Sequence, residues 1–357
     1  MKQKFAALVL GGIFLCLTGC SSDAPEKEKT APAEDLPTLT IMTHDSFSLS
    51  KEVLAAFEKA INARVKILKS GDAGEALNKA ILSKNNPLSD VFYGVDNTFL
   101  SRAVKADIFV PYAPKGIEQV EVGLKLDPEN RLIPMDYGDV CLNYDIKWFK
   151  DKNMIPPAML EDLLKPEYKG LVVVENPATS SPGLAFLLAT VSRFGEQGYL
   201  EFWEKLVANE VLVKNGWKEA YWGEFSAASQ GSRPIVVSYA SSPAAEVFFA
   251  EVKPEQAPTD VVIENGAAFR QVEFAGIIKG TKQIKIAQKA MDFMLSNTFQ
   301  EDIPLQMFVF PASKTANLPD LFKAHARITQ EPARLDPELI NTQREAWIRQ
   351  WTDTVLQ

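Results

Sequence analysis

Two serine–proline pairs, each of which follows an apolar run, are candidates for binding a ligand. Ser181 precedes Pro182, and Ser242 precedes Pro243. A serine before a proline is typical of a helix start, where the first backbone N–H groups lack partners within the helix. These groups and the positive end of the helix dipole can hold a phosphate or a hydroxyl group. Helix capping alone explains the same pattern, so the residues leave binding and capping equally open.

Aromatic side chains form a second candidate group. Trp217, Tyr221 and Trp222 lie in a short stretch that begins at Gly216. Tyr221 and Trp222 have helical spacing, and we expect at least one of them to be a core residue. Trp217 follows a glycine at the expected start of a helix, so it is predicted to present a ring on which a flat ligand can stack.

Motifs of the common enzyme classes are missing from the sequence. His44-Asp45-Ser46 contains the residue types of a serine-hydrolase triad, but consecutive residues cannot converge as nucleophile, base and orienting group. The sequence has no nucleophile-elbow serine motif, no HExxH, no CxxC and no phosphate-binding loop. Its two histidines and three cysteines make a histidine-rich metal site or a disulfide framework unexpected. We therefore predict a binding protein without cofactor or metal, rather than an enzyme.

Composition narrows the class of partner. The chain has 357 residues, a formal net charge of −8 and 46% apolar residues. This apolar share is typical of a folded protein, and the length suffices for two domains. Nucleic acid is not an expected partner, because binding to it relies on lysine and arginine beside phosphates.

Runs of strand length alternate along the chain with segments of helical periodicity. In the first such helix, Val53, Leu54, Phe57 and Ile61 recur at three- and four-residue spacing. Strands are predicted at residues 39–43, 65–68, 90–94, 171–174, 235–239 and 272–278, and helices at 53–61, 75–82, from 182, from 243, at 282–295 and at 337–355. This alternation indicates parallel strands joined by crossover helices. The predicted fold class is α/β with two lobes.

The N-terminus has the pattern of a bacterial secretion signal. Lys2 and Lys4 precede an apolar run from Phe5 to Leu17, and Leu17-Thr18-Gly19-Cys20 resembles a lipobox. Residues 1–19 are predicted to be a lipoprotein signal peptide, with lipid attached to Cys20 and residues 20–36 as a flexible tether. An ordinary signal peptide with a chance cysteine is the alternative. The expected location is outside the cytoplasm, anchored to the membrane, and Cys141 is expected to be a small core residue.

Seven motifs follow one another between about residues 38 and 355. They are Thr43-His44-Asp45-Ser46-Phe47, Asp96-Asn97, Asp136-Tyr137-Gly138, Asn176-Pro177-Ala178-Thr179-Ser180-Ser181-Pro182-Gly183-Leu184, Gly216-Trp217-Lys218-Glu219-Ala220-Tyr221, Ser238-Tyr239-Ala240-Ser241-Ser242-Pro243-Ala244 and Gln343-Arg344-Glu345-Ala346-Trp347-Ile348. In this order they resemble the solute-binding proteins of ABC importers and, within that class, the bacterial thiamine-binding proteins. The resemblance implies a monomer with a two-lobed periplasmic-binding-protein fold of type II, which closes on its ligand at a hinge.

The resemblance also implies a division of the chain and a set of partners. Lobe one is predicted to comprise residues 37–138 and 272–315, lobe two residues 139–271, and residues 316–357 form a C-terminal helical segment expected on lobe two. The partners implied by the resemblance are thiamine or its phosphate esters and a membrane permease, and the lipobox adds membrane lipid at Cys20.

Ligand contacts carried over from the family fall on loops that follow strands. They are Asp72, Ala73, Ser180, Ser181, Trp217, Tyr239, Ala240, Ser241 and Ser242, together with His44, Asp45 and Phe308 as candidates. The family tends to have tyrosine at the positions of His44 and Ala245 and tryptophan at that of Phe308, so we expect a less aromatic pocket. A thiazolium cation can lie over aromatic faces. Asp72 or Asp45 can offset its charge, and Ser180 and Ser181 suit a hydroxyl or phosphate tail.

Two alternatives stay open at this point. One is a binding protein for another cationic solute, such as a polyamine or ferric ion. The other is a surface hydrolase that uses a serine at one of the serine–proline pairs, such as Ser181.

Overall fold

The computed structural model describes residues 36–356 of the chain. The predicted signal peptide and almost all of the predicted tether, including Cys20, lie outside the described residues. Between Leu36 and Leu356, no helix combines the length and the apolar character that crossing a membrane requires.

Strands and helices alternate through most of the described chain, which ends in a series of helices interrupted only by a two-residue strand. The strands are β1 (Thr38–Thr43), β2 (Arg64–Lys69), β3 (Val91–Asp96), β4 (Phe109–Val110), β5 (Ile133–Asp145), β6 (Val172–Glu175), β7 (Leu212–Lys214), β8 (Ile235–Tyr239), β9 (Thr259–Val262), β10 (Phe269–Ile278) and β11 (Phe310–Pro311). The helices are α1 (Lys51–Ile61), α2 (Ala73–Leu82), α3 (Leu100–Lys105), α4 (Ile146–Asp151), α5 (Ser181–Ala208), α6 (Trp217–Glu219), α7 (Ser242–Phe249), α8 (Ile284–Met294), α9 (Asn297–Gln300), α10 (Ile303–Gln306), α11 (Asp320–His325) and α12 (Pro337–Val355).

The strands form one mixed sheet in the order β2-β1-β3-β10-β5-β8-β6-β7, and the short strands β4, β9 and β11 pair with its central strands. The two flanks, β2-β1-β3 and β8-β6-β7, are parallel, as predicted for all of these strands except β7, which was not among the predicted strands. The prediction of parallel pairing is wrong at the centre, where β10 runs antiparallel to β3 and β5, and β5 antiparallel to β8. Alternation along the chain predicts the pairing of consecutive strands, whereas β10 and β5 pair with strands far away in sequence.

The long strand β5 joins the two flanks of the sheet. Its first part, up to Val140, pairs with β10, and its last part, from Val140 to Tyr144, pairs with β8. Periodicity in the sequence did not predict this strand as an element, because it carries the polar residues Asp136, Asp139 and Asn143 among apolar ones. All three side chains are buried.

Local sequence explains why the predicted helices begin where they do. The Ser50 hydroxyl accepts a hydrogen bond from the N–H of Val53 and caps α1, whose buried face is Val53, Phe57 and Ile61. At the other end of the chain, Pro337 starts α12 and Asp336 caps it. The predicted helices at both ends are therefore confirmed.

The C-terminal helix α12 packs on α5. The ring of Trp351 meets that of Trp203 edge to face, with centroids 5.4 Å apart, and Tyr199 donates a 2.6 Å hydrogen bond to Gln350. Both tryptophans are fully buried, so this contact is part of the core. Cys141 is buried as well, beside Ala240 and Ala268, which confirms its predicted place in the core.

Candidate functional site

The ends of several strands converge on a cleft that is partly open to solvent. Loops after β1 and β2, the starts of α5, α6 and α7, and the segment before β11 all reach it. This is where open α/β sheets bind ligands. Its lining residues are His44, Ser46, Asp72, Ser181, Pro182, Trp217, Tyr221, Tyr239, Ser242, Ala245, Glu273, Met307, Phe308 and Val309.

A group of carboxyl side chains at the cleft, which we call the acidic floor, consists of Asp72 and Glu273, which line the cleft, and of Asp96 and Asp136, which are buried beside Glu273. Glu273 lies on β10, directly opposite Asp96 on β3 and Asp136 on β5. Directly paired residues of antiparallel strands point to the same face, so these three carboxyl groups form a row across the sheet. Burial and the neighbouring Glu273 raise the pKa of Asp136 well above its usual range. Asp136 accepts a short hydrogen bond from the Tyr93 hydroxyl, which opposes this rise in its pKa.

His44 lies over the acidic floor, directly after β1. Its Nε2 atom is 3.3 Å from Oε2 of Glu273, although the two groups do not align as a hydrogen bond. Burial by itself lowers the pKa of His44, but Glu273, followed by Asp72 and Asp136, outweighs it and leaves that pKa above its ordinary value. The contact with Glu273 therefore favours the protonated form of His44 beside the floor.

Asp72 caps α2 at the edge of the same cleft. Its carboxylate accepts hydrogen bonds from the N–H of Ala73 at 2.9 Å and from the N–H of Trp217 at 3.3 Å. Burial raises the pKa of Asp72, and these hydrogen bonds oppose the rise. Asp72 therefore ties the start of α2 to the start of α6, and it adds a second carboxyl group to the cleft lining.

The aromatic residues that line the same cleft, which we call the aromatic wall, are Trp217, Tyr221, Tyr239 and Phe308. The rings of Trp217 and Tyr221 stack with centroids 4.9 Å apart and an angle of 19° between their planes. Tyr221 is fully buried and Trp217 half-buried. The prediction that one of the clustered rings is a core residue is confirmed by Tyr221, which supports Trp217 from behind.

A chain of hydroxyl groups fixes the orientation of Trp217. Its indole N–H donates a 2.8 Å hydrogen bond to the Ser238 hydroxyl, which is 2.9 Å from the hydroxyl of Ser242. Ser242 starts α7 and also accepts from the N–H of Tyr239 at 3.3 Å. The second serine–proline junction therefore positions the aromatic wall, and its N-cap residue, Ser241, makes no side-chain capping hydrogen bond to the helix.

The first serine–proline junction meets the acidic floor. The Ser181 hydroxyl donates a short hydrogen bond to Asp96, whose other carboxylate oxygen accepts from the Thr98 N–H at 2.6 Å. Burial raises the pKa of Asp96 to about 6, although these hydrogen bonds favour its ionised form. Gly183 lets the first turn of α5 approach β6, because a Cβ atom there would lie 2.5 Å from the carbonyl oxygen of Glu175.

The structure brings seven of the proposed site residues to the cleft: His44, Asp72, Ser181, Trp217, Tyr239, Ser242 and Phe308. Four others are buried beside it without lining it: Ala73, Ser180, Ala240 and Ser241. Ser241 supports the wall indirectly, since its hydroxyl donates to the carbonyl oxygen of Phe308.

Asp45 faces an adjoining depression, which it shares with Asp72 and Trp217. Its carboxylate accepts from the N–H of Gly71 at 3.0 Å, and the amino group of Lys218 donates to its carbonyl oxygen at 2.8 Å. Asp45 thereby links the loop after β1 to the start of α6.

Sequence reasoning missed Glu273, Tyr221 as a lining residue, and Met307 and Val309. A signal for Glu273 was present, since it is a lone carboxylate inside the apolar run of β10 and is only 8% exposed. A buried acid inside a central strand needs a partner, which makes it a candidate for function. Within residues 36–356, no three histidine, cysteine or acidic side chains are placed to share a metal ion.

The sequence matches a family described as bacterial extracellular solute-binding protein over residues 86–330. The "Thiamine-binding periplasmic protein" of Salmonella typhimurium is 33% identical over 91% of this chain and 95% of its own length. The protein of the same name from Escherichia coli is 32% identical over 91% of this chain and 96% of its own length.

Solved structures show the same architecture. A periplasmic thiamin binding protein matches with a TM-score of 0.80 and 29% identity, covering 91% of this chain and 98% of that one. The ferric binding protein from Campylobacter jejuni matches with a TM-score of 0.71 at 18% identity, covering 88% and 99%, and it shows the fold alone. The predicted α/β fold with two lobes is confirmed by these matches, and the relatives are transport components rather than enzymes. This chain belongs to the family of bacterial extracellular solute-binding proteins.

Proposed function

We propose that this protein binds thiamine or a thiamine phosphate ester in the cleft and delivers it to the permease of an ABC importer. The observation that carries the proposal is that an aromatic wall, built on Trp217 and Tyr221, and two carboxyl groups of the acidic floor, Glu273 and Asp72, line the same cleft. A flat organic cation is complementary to both groups at once. The names of the similar proteins favour thiamine among such cations.

The aromatic wall and the acidic floor act on the charged ring together. A cation over a tryptophan face contributes about 0.5–2 kcal/mol, depending on how far it is desolvated. Glu273 and Asp72 supply the opposite charge in a site where burial weakens screening by water. A neutral ring of the same shape would keep the stacking and lose the attraction to the carboxylates.

The start of α5 suits the tail of the ligand. Ser181 lines the cleft at the first residue of the helix, and the close approach of Gly183 to β6 sets the first turn at the cleft wall. Backbone N–H groups at such a helix start favour a phosphate or a hydroxyl. The phosphate esters are therefore included among the proposed ligands.

The test is a screen of purified protein by thermal shift and titration calorimetry. Thiamine, its phosphates, spermidine and ferric citrate are the probes, since a ligand that binds the native state raises the melting temperature by mass action. We expect a rise with thiamine or one of its phosphates. A rise with spermidine or ferric citrate alone would contradict the proposal and identify a different solute.

We propose further that the lobes have the bounds predicted from the sequence and hinge where the chain passes between them. The crossings lie near residues 134–139 and 271–274, on the paired strands β5 and β10. Closure on a ligand should compact the protein, which small-angle scattering measures. Identical scattering profiles with and without saturating ligand would contradict closure.

Membrane attachment through Cys20 completes the proposed function. A lipid on this residue would keep the binding domain near the permease. Cys20→Ser should release the protein from membranes or block its processing, whereas Cys16→Ser, within the predicted signal peptide, should not. Membrane-bound Cys20→Ser protein of unchanged mobility would contradict the lipobox.

A further inference from the structure

The contact between His44 and Glu273 is the part of the cleft that stacking and helix capping leave unexplained. His44 is buried beside Glu273, which is the carboxylate that the proposed cationic ligand needs as its counter-charge. A side chain that can itself become a cation therefore already lies next to that carboxylate. The inference that follows rests on the proposed function, and it concerns how the same site distinguishes a cation from a neutral ring.

His44 is held beside Glu273 by its packing. A Cβ atom on Gly94 would lie 2.5 Å from Cδ2 of His44, so the imidazole lies directly against the backbone of β3. Gly94 has a φ of +109°, which a residue with a side chain rarely adopts. The ring of Tyr93 lies on its other flank, with centroids 6.4 Å apart.

The groups that face His44 come from each element around it. They are Glu273 on β10, Asp136 on β5, Tyr93 on β3 and Asp72 at the start of α2. The three carboxyl groups favour the imidazolium, and among them Glu273 has the largest effect. Burial opposes the imidazolium, but the carboxyl groups outweigh it and leave the pKa of His44 raised.

The geometry of the contact makes it replaceable. Nε2 of His44 and Oε2 of Glu273 are 3.3 Å apart but do not align as a hydrogen bond, so the attraction is mainly that of charge. A second cation entering the cleft takes over that attraction and repels the imidazolium at the same time. Both effects favour loss of the proton from His44.

We propose that His44 determines the selectivity of the cleft for a cation: its imidazolium balances Glu273 before a ligand binds, and a bound cation replaces it. The balance is simple: the imidazolium N–H bond breaks, its electron pair stays on the ring nitrogen, and the proton leaves to water. Net charge in the cleft is conserved, because one cation enters as one proton departs. A neutral ligand of the same shape leaves the imidazolium in place and releases no proton.

The sign of the pH dependence follows from linkage. The proposal implies that the pKa of His44 is raised in the free protein and lower in the complex. At a pH above the pKa of the free protein, His44 is already neutral and the affinity for the cation is at its maximum. As the pH falls from that pKa towards the pKa of the complex, the affinity falls by up to about tenfold per pH unit. Weaker binding of the cation at lower pH is therefore expected, with at most one proton released per ligand.

The experiment measures that proton directly. Titration calorimetry of the folded mature chain at neutral pH, in buffers of different ionisation enthalpy, counts protons released on binding thiamine and on binding deazathiamine, its uncharged thiophene analogue. Wild type should release part of one proton with thiamine and none with deazathiamine. His44→Gln should abolish the release, and His325→Gln, which alters the other histidine of the chain, should retain it.

A second measurement does not depend on any variant. With only two histidines in the sequence, imidazole resonances in an NMR pH titration separate into His44 and His325 when the affinity tag carries no histidine. The pKa of His44 should fall when thiamine is added and should not fall with deazathiamine. Binding of thiamine with an unchanged His44 titration, or proton release that persists in His44→Gln, would overturn the inference alone. No binding of thiamine by wild type would overturn the proposed function and this inference with it.

Discussion

The acidic floor and the aromatic wall of the cleft differ in how they are built. The stacked part of the wall comes from two residues close together in sequence, Trp217 and Tyr221, which one turn of chain brings into contact. The floor comes from Asp96, Asp136 and Glu273, which lie on three separate strands and meet only through antiparallel pairing. The wall supplies shape and a polarisable surface, whereas the floor supplies charge, which is sensitive to pH and to each neighbour.

The largest effect is expected from the floor. Glu273→Gln removes the counter-charge that faces the ligand while keeping the shape of the side chain. Removing one partner of a buried charge pair costs about 2–5 kcal/mol. We expect thiamine to bind at least about 30-fold more weakly.

The measurement for Glu273→Gln is the dissociation constant by titration calorimetry. Exposed Glu264→Gln changes the net charge equally and should leave that constant unchanged. Equal weakening by both variants would mean that overall charge, rather than the floor, attracts the ligand.

Trp217→Ala tests the wall and should have the next largest effect. Loss of the stacking face should weaken thiamine binding by about 1–3 kcal/mol, which is about five- to a hundredfold. Unfolding stability should fall by less than the approximately 3–5 kcal/mol typical of a buried tryptophan, because Trp217 is only half-buried. Fluorescence titration and denaturant unfolding measure the two quantities on one variant.

The neighbouring Trp222 offers a matched control for the wall. It meets Trp217 edge to face at 6.1 Å, is 40% exposed and does not line the cleft. Trp222→Ala should leave the affinity nearly unchanged. If Trp217→Ala lowers stability strongly and does not change the affinity, Trp217 is a core residue and the wall has no role in binding.

The same two regions explain how much could be predicted from the sequence. Trp217, Ser181 and Ser242 were found because a glycine or a proline beside them marks a helix start, which is a local signal. The flanking parallel strands were predicted for the same reason, since each is next to its crossover helix. Glu273 was missed because its role depends on β10 lying between β3 and β5, a pairing across far separated parts of the chain.

Asp96→Asn examines the floor through stability rather than binding. The pKa of Asp96 is raised to about 6 in the folded protein, mainly by burial. Because the pKa of Asp96 is raised on folding, its contribution to the free energy of unfolding is fully present below the pKa of the unfolded state and is lost as the pH rises through about 6. Asn cannot ionise, so the variant should be about 1–3 kcal/mol more stable than wild type at pH 8.

The advantage of Asp96→Asn should shrink as the pH falls below that value. Urea unfolding at a series of pH values measures the difference, with exposed Asp320→Asn as the control. A stability difference independent of pH would mean that the hydrogen bonds from Ser181 and Thr98, rather than the charge, dominate at Asp96.

The smallest expected effect concerns the hydroxyl chain behind the wall. Ser242→Ala removes the group 2.9 Å from the Ser238 hydroxyl, which in turn accepts from the indole N–H of Trp217. The ring stays stacked on Tyr221, so only its in-plane orientation loosens, and one neutral hydrogen bond is worth about 0.5–1.5 kcal/mol. Thiamine should therefore bind about two- to tenfold more weakly.

The control is Ser192→Ala. The Ser192 hydroxyl bonds to the carbonyl oxygen of Arg334 away from the cleft, so this variant should not change the affinity. A loss as large as that of Trp217→Ala would show that Ser242 contacts the ligand itself, and the second serine–proline junction would then belong to the binding surface rather than to its support.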